Sequence, residues 1–575
     1  MEAKWIALSN TTLGALMASI NGTMLLIALP AIFNGIGFNP NQPDGITYLI
    51  WLIMGYMIVT AVLLVTFGKL SDIYGRVRLY RLGFAIFTAA SILLYIISLV
   101  VRGDNGVLAL IIVRILQGVG GGFLFANSAA ILTDYFPVRE RGKSLGINQV
   151  SAVAGSFIGL VVGGVLASYD WHLVFLFNVP FGIVGTVWSY ISLRDVGKLI
   201  RARIDIIGNV LFAAGLSLLL IGITYGLLPY GSSSTGWGNP FTLVSIISGV
   251  VLLLLFVYAE SKIKNPMFEL GLFRIRDFAS GNIANLVSSL ARQGLMLTVV
   301  IFLQGIWLPI HGYSYSSTPF WSGVYLIPFM LGFVILGPIS GFFSDKFGGK
   351  ILTTSGLAIS ALGFIALSFL PYNFDYVTFA SILFIIGAAQ GMFAAPNTAD
   401  IMSSVAEEKR GVASGMRATL MNSAGAASLA FYFTIIITSM SLAFLSNSVM
   451  YVASSLQGVG LPPSQAVQIS QDLSAYMPSA STSLFSALLG YNPTLGLLSS
   501  VGSIVPQNIS ADVVKVFSSS SFFPNLVGSS FIAGFKSITY ISAGLLVVAA
   551  IIAFLREGKR RDGRRFMPKG KSLKT

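Results

Sequence analysis

Gly68-Lys69-Leu70-Ser71-Asp72-Ile73-Tyr74-Gly75 is answered, 273 positions later, by Gly341-Phe342-Phe343-Ser344-Asp345-Lys346-Phe347-Gly348. Gln117-Gly118 returns as Gln390-Gly391 at the same offset, and Arg141-Gly142 returns as Arg410-Gly411 at an offset of 269. A spacing kept over so much chain marks an internal repeat, and the molecule is expected to consist of two similar halves. Each copy of the loop lies between two long apolar runs and carries basic residues, Lys69, Arg76, Arg78 and Arg81 in the first and Lys346 and Lys350 in the second.

Working outward from these loops, the chain is 575 residues long, 55% hydrophobic and only 10% charged, against about 25% charged for soluble domains. One buried core cannot absorb that deficit at this length, so lipid must solvate much of the surface. A spanning helix needs roughly 20 mostly apolar residues. Fourteen such runs are read at 5–33, 46–68, 79–101, 107–133, 144–167, 171–193, 205–228, 240–259, 278–308, 319–343, 350–371, 376–403, 412–440 and 531–555. Alternate connections hold the basic residues: after the first loop come Arg139, Arg141 and Lys143, then Arg194 to Arg203, Lys262 to Arg276, Lys346 and Lys350, Lys409 and Arg410, and the tail from Arg556. The positive-inside rule then places both termini in the cytoplasm, which an even number of spans permits. Both copies of the repeat face the same side, as expected of parallel repeats about an axis along the membrane normal.

The expected organisation is an N-terminal six-helix bundle over 1–194, two inserted membrane helices over 195–265, a C-terminal six-helix bundle over 266–555, and a basic cytoplasmic tail over 556–575. Between the last two spans, 441–530 reads as a long extracellular loop rich in Ser, Gly and Pro. Stretches 464–477 and 510–518 within it could form short amphipathic helices. The net charge of +14 falls in orientation-setting connections, so no nucleic-acid partner is expected. With no cysteine and only His172 and His311, there is no basis for a thiol nucleophile, disulfide framework or metal site. Gly-Lys-Ser occurs at Gly142 and Gly570, but Pro137 and Arg565 stand where a phosphate-binding loop needs its first glycine. The chain is not read as an enzyme, no cofactor is implied, and any transport would be secondary.

With its glycines, Asp72 and Arg76, the Gly68–Arg76 loop resembles the signature loop of the major facilitator superfamily. Arg114, Gln117, Gly118 and Gly120 resemble its fourth-span motif, and Gly155, Gly159, Gly163 and Gly164 its fifth-span antiporter motif. The stretch from Trp171 to Gly182, with Asn178 and Pro180, resembles the sixth-span opening of its fourteen-span drug:proton antiporter branch. Asp205, Gly208 and Leu211, then Pro266 to Arg274, resemble that branch's markers around the inserted pair. The resemblance runs from Ala18 to Gly425. It implies two six-helix halves rocking about a central cavity, with Gly68, Asp72, Gly75, Arg76 and Asp345 forming a conformational latch. It also implies that Arg114, Gln117 and Gly118 take part in coupling or gating, that Gly155 to Gly164 form an exporter-type glycine seam, and that the protein works as a monomer. Three positions depart from the pattern. Asn21 stands where the branch usually has aspartate and cannot carry a proton, Leu160 replaces a proline, and His172 replaces an arginine.

Asp72, Asp134, Asp345, Asp400 and Glu260 all map to cytoplasmic helix ends, and no carboxylate maps near the bilayer centre. Arginines go deeper: Arg114 and Arg417 about 9 Å into their spans, Arg292 about 20 Å into span 9. Intramembrane charge is costly and functional by default, so Arg292 with Asn21, Asn285 and Gln304 is expected to line the cavity and favour an anionic or electron-rich substrate. Arg292 could equally bond helix carbonyls or snorkel. The reading is an all-α plasma-membrane transporter exporting lipophilic or amphiphilic small molecules by alternating access, with protons the candidate coupling ion. Import or uniport of an organic anion, or a non-transporting receptor, are the rivals.

Overall fold

The computed structural model describes residues 2–37, 45–137, 140–196, 205–228, 230, 231, 233, 235–263, 266, 268–315, 317–406, 409–442, 444–489 and 494–556. The basic tail after Arg556 lies outside the described residues, as do Arg139, Lys198, Arg201, Arg203 and Lys264, and the side chain of Asp345. The fold is all-α, with no strand among the described residues.

Among the described residues, fourteen helices are long and apolar enough to cross a membrane. They are span 1 (Ala3–Ile36), span 2 (Thr47–Tyr74), span 3 (Arg76–Val100), span 4 (Gly103–Tyr135), span 5 (Ser144–Tyr169), span 6 (Leu173–Ser192), span 7 (Ile206–Tyr225) and span 8 (Pro240–Lys262). Span 9 (Arg276–Ile310), span 10 (Thr318–Ser344), span 11 (Gly349–Ser368), span 12 (Tyr376–Ser403), span 13 (Val412–Ser441) and span 14 (Phe522–Phe554) complete the set. Several starts carry side-chain caps that satisfy the free amides of a first turn: Asp205 accepts from Gly208 N at 2.9 Å, Asn239 from Phe241 N at 2.9 Å and Asp375 from Thr378 N at 2.9 Å. With fourteen spans among the described residues, the start of span 1 and the end of span 14 lie on one side, the basic face, named for the Lys- and Arg-bearing connections on it.

Lipid offers no hydrophobic drive for helices to associate, so packing depends on small residues that let backbones touch. Gly155, Gly159 and Gly163, spaced on one helical face, turn it to span 1. A Cβ there would lie 2.7 Å from Leu16 O, 2.5 Å from Ile20 O and 2.6 Å from Met24 O respectively. Gly164, read with them as one seam, belongs to another face, and a Cβ on it would lie 2.5 Å from Phe320 Cα of span 10, in the other half. The second half uses the same device, Gly387 and Gly391 of span 12 abutting the Phe329 and Phe333 carbonyls of span 10. Spans 7 and 8 pack on each other, and span 7 lies against spans 2 and 13. Thr66 of span 2 donates to Asn209 Oδ1 at 2.5 Å, and Trp237, between spans 7 and 8, donates to Thr434 of span 13 at 3.2 Å. The inserted pair therefore covers the side where the two halves meet through spans 2 and 13.

Between spans 13 and 14 the expected loop is replaced by a helical cap: Phe444–Gly458, Pro463–Asp472, Ala480–Leu489, Leu495–Ile504 and Gln507–Phe517. Val452, Leu456, Leu473, Leu497, Val501, Val513 and Phe517 form its own apolar core together with Phe522 and Leu526 of span 14. Span 14 starts at Phe522 rather than 531 because its first turns belong to this cap. The helix Ala480–Leu489 seats Ala487 against Gly305, inside the one π-helical stretch of span 9, Leu303–Trp307.

Because spans 1 and 5 touch at backbone distance, Gly159→Val should destabilise the purified protein by roughly 1–3 kcal/mol, seen as a lower unfolding temperature in detergent. Gly146→Ala, on the same helix but with only Ala395 Cβ at 3.6 Å, should be tolerated. Equal melting of both variants and the parent would contradict the seam's role.

Candidate functional site

The loop that reveals the repeat builds an ion cluster on the basic face. Gly75 has φ +106, a conformation L side chains rarely adopt, and a Cβ there would lie 2.7 Å from Asp195 Oδ2. Asp195 Oδ1 in turn accepts from Val77 N at 2.7 Å at the start of span 3. Arg76 donates through Nε and Nη2 to Asp72 Oδ1 at 3.0 and 2.9 Å and through Nη1 to Asp134 Oδ1 at 2.5 Å, tying spans 2, 3 and 4 together. Asp72 Oδ2 is buried without a hydrogen bond, and no bond joins Asp72 to span 13. Lys69 reaches the Pro266 carbonyl at 3.3 Å, outside the first half. Arg81, one of the loop's basic residues, caps span 6, donating to Ser189 O at 3.1 Å and to Leu193 O.

The second copy keeps the turn but not the cation's origin. Gly348 has φ +89, and Arg556, two residues past span 14, reaches back to the ends of spans 9 and 12. It donates to Ser280 at 3.2 Å and to Asn397, and stands 3.6 Å from Asp400 Oδ2. Burial lowers its pKa from the ordinary arginine value, with Asp400 and Asp277 pulling the other way. The first arginine of a basic stretch after the last apolar run reads as the start of a tail, so sequence reasoning missed this role.

Arg114, Gln117 and Asn21 come together in a buried polar network inside the first half. Gln117 Oε1 accepts from Arg114 Nη1 at 2.8 Å and from Asn21 Nδ2 at 3.0 Å, and Gln117 Nε2 donates to Ser91 at 2.8 Å. Asn178 Nδ2 donates to Asn21 Oδ1 at 3.2 Å, and the Arg114 guanidinium lies over the Tyr56 ring, 4.8 Å from its centroid. Gly118 admits the Tyr56 carbonyl, 3.0 Å from where its Cβ would be. Asn21 is thus a member of this network and not of the cavity, because both ends of its amide are taken by Gln117 and Asn178.

The cavity lies where the halves face each other and holds about 90 Å³. The first half supplies Gly22, Thr23, Leu26, Ile53, Met57, Ser156, Phe157 and Leu160. The second supplies Arg292, Gln293, Met296, Leu297, Val300, Gly425, Ser428 and Leu429. Of the four residues expected there, only Arg292 is present. Asn285 lies on the same stripe of span 9, two turns toward the basic face, with Nδ2 buried and unbonded. Gln304 sits in the π-helical stretch and donates to Ser322 at 3.2 Å. At about 30 Å³ per water the cavity holds a few waters, so a drug-sized ligand requires the halves to part. Spans 5 and 10 meet at backbone distance on the side away from the basic face, Gly164 on Phe320 and Gly323 on Val161 N at 3.0 Å. Nearer the basic face Gly146 and Gly415 meet the other half only at 3.6 Å.

Neither histidine is near the cavity. His172 Nδ1 lies 2.5 Å from Asp170 Oδ1, a hydrogen bond that holds Asp170 below the usual carboxylate range, and His311 stacks on Trp307.

The family model described as Major Facilitator Superfamily matches residues 11–204 and 207–429, ending before the cap. Among curated proteins, the riboflavin transporter RibZ of Clostridioides difficile is 28% identical, covering 80% of this chain and 94% of its own length. The multidrug transporter protein MdtP of Bacillus subtilis is 29% identical, covering 69% of this chain and 68% of its own. Among solved structures, a bacterial homologue of the human lysosomal transporter Spinster, inward-facing and unoccupied, superposes with a TM-score of 0.51 at 16% identity, over 96% of this chain and 97% of that one. That likeness is one of fold.

Asn21→Asp would set a carboxylate beside Arg114 in the network that now holds none. The pH profile of the variant's flux should gain a titration step that the parent lacks. Superimposable profiles would show that this network does not feel the transport cycle.

Proposed function

The chain belongs to the major facilitator superfamily, and on that premise we propose that it is a secondary active exporter of lipophilic or amphiphilic small molecules working by alternating access. The observation that carries this reading is the cavity shared between two repeats, lined by spans 1, 2 and 5 of one half and spans 9 and 13 of the other. A site at the interface of two pseudo-symmetric bodies is exposed alternately to either side when they rock. Its walls are largely apolar, which suits a lipophilic cargo. Relatives named for riboflavin and multidrug transport support a flat or varied organic cargo.

Export is supported by the resemblance of the span-5 glycines to the fifth-span antiporter motif, and the positive-inside rule assigns the basic face and both termini to the cytoplasm of a cell membrane. The protein acts as a monomer in this reading, since the path lies within one chain. The latch role falls to Asp72, Arg76 and Gly75, which lock the basic ends of spans 2, 3 and 4. Gly68 and Asp345 take their parts in it by repeat position. Gating falls to Arg114, Gln117 and Gly118 through their contacts with spans 1, 2 and 3. Protons are the coupling ion in this reading. No carboxylate lines the cavity, so their carrier is a basic-face acid, Asp72 first, its second oxygen buried and unbonded.

Inside-out vesicles carrying the protein, energised with a proton gradient and given cationic, neutral and anionic lipophiles, provide the test. Collapse of the gradient by a transported compound is expected, and Asp72→Asn should abolish that collapse. Flux indifferent to the gradient would leave a transporter that is not proton-coupled, and absence of any flux would refute the transport reading.

A further inference from the structure

Resting on the transport reading, we propose that the cargo is an amphiphilic monoanion, a carboxylate or sulfonate on an apolar body, whose acid group docks on Arg292 after passing Arg417. Three arginines lie deep in the spans. Arg114 is answered by Gln117 and the Tyr56 ring. Arg292 and Arg417 make no hydrogen bond or ion pair with any described residue.

These two lie on one track. Arg292 lines the cavity itself. Arg417 shares a stripe of span 13 with the cavity residues Gly425 and Ser428, eight and eleven residues on, which sets it about 12 Å nearer the basic face. It is only 6% exposed. No Asp or Glu lines the cavity, and no acidic residue occurs in span 13 from Val412 to Ser441. Withdrawing a guanidinium from water without a partner is costly, and the cost is recovered when an anion supplies the partner. Guanidinium pairs with carboxylate or sulfonate oxygens through two parallel N–H bonds. One such fork in the cavity accounts for one acid group. Gln293, opposite the clearance left by Gly425, adds a neutral donor beside it. Phe157, Leu160, Met296 and Leu429 leave the rest of the cavity apolar, which is why the body of the cargo must be apolar. The same charges disfavour a cationic lipophile, which would enter a path with two positive groups and no counter-charge.

The experiment uses proteoliposomes of the full chain and three compounds on one aromatic body: naphthalene-2-sulfonate, naphthalene-2-sulfonamide and 2-naphthylmethylammonium, each corrected for protein-free liposomes. The parent should move the sulfonate fastest. Arg292→Gln should lower sulfonate flux at least about tenfold, the loss of a charge-assisted bond, without a matching loss for the sulfonamide. Arg292→Lys, which keeps the charge and controls for folding, should recover part of it. Arg417→Gln should slow sulfonate entry from the basic face while leaving sulfonate-induced thermal stabilisation in detergent in place. Equal loss of all three compounds in Arg292→Gln would make Arg292 a helix-holding residue and overturn the proposal. If the vesicle panel above is transported while the sulfonate is not, the anion assignment falls and the transporter reading stands; if nothing in either panel moves, both fall.

Discussion

The structure depends on one constraint of the hydrocarbon solvent: helices in lipid gain nothing by hiding apolar surface, so they hold together only where backbones can touch or polar groups can pair. The glycines are distributed accordingly. Within each half they set backbone against backbone, Gly155, Gly159 and Gly163 on span 1 and Gly391 on span 10. Between the halves such contact is confined to the ends of spans 5 and 10 away from the basic face, at Gly164 and Gly323. Elsewhere the halves meet through side chains and at ordinary van der Waals distance, as where Gly337 meets Val150 and Gly415 meets the Leu64 carbonyl.

Polar groups obey the same constraint. Arg76 satisfies two carboxylates at once and replaces water on the basic face with a bridge across three spans. Arg114 sits in a pocket of amide and aromatic partners and keeps its charge without any acid. Against these two, the unpaired state of Arg292 and Arg417 is a difference in kind. Among the described residues neither has a hydrogen-bond or ion-pair partner, and Arg292 lines the cavity between the halves.

The repeat, the span count and the all-α class were legible in sequence because each rests on a local rule: apolar run length, the side chosen by basic residues, and an offset kept through glycine and glutamine. The deep position of Arg292 was legible for the same reason, since it lies fourteen residues into the apolar run read at 278–308. Its companions were not. Asn21 and Gln304 look like cavity residues on a helix considered alone, but their amides turn to Gln117 and Asn178 and to Ser322, choices that depend on neighbouring helices. Two cap helices, near 464–477 and 510–518, were legible from their amphipathic pattern, but the apolar core that joins them was not, because it is completed by Phe522 and Leu526, which sequence alone assigns to no span. Arg556 escaped because a charge after the last span is indistinguishable from a tail.

The repeat also shows where the halves have been made unlike. Gln390, 273 positions after Gln117, keeps the same bridging geometry, accepting from Ser288 at 2.7 Å and donating to Ser360 at 3.3 Å. At that same offset Arg114 becomes Gly387 and Tyr56 becomes Phe329. The first half stacks a guanidinium on a ring at this point; the second uses the glycine to bring the Phe329 carbonyl against span 12. The first half thus keeps a buried charge inside its polar network where the second keeps a backbone contact. Arg292, borne by span 9 of that second half, faces the first half across the cavity.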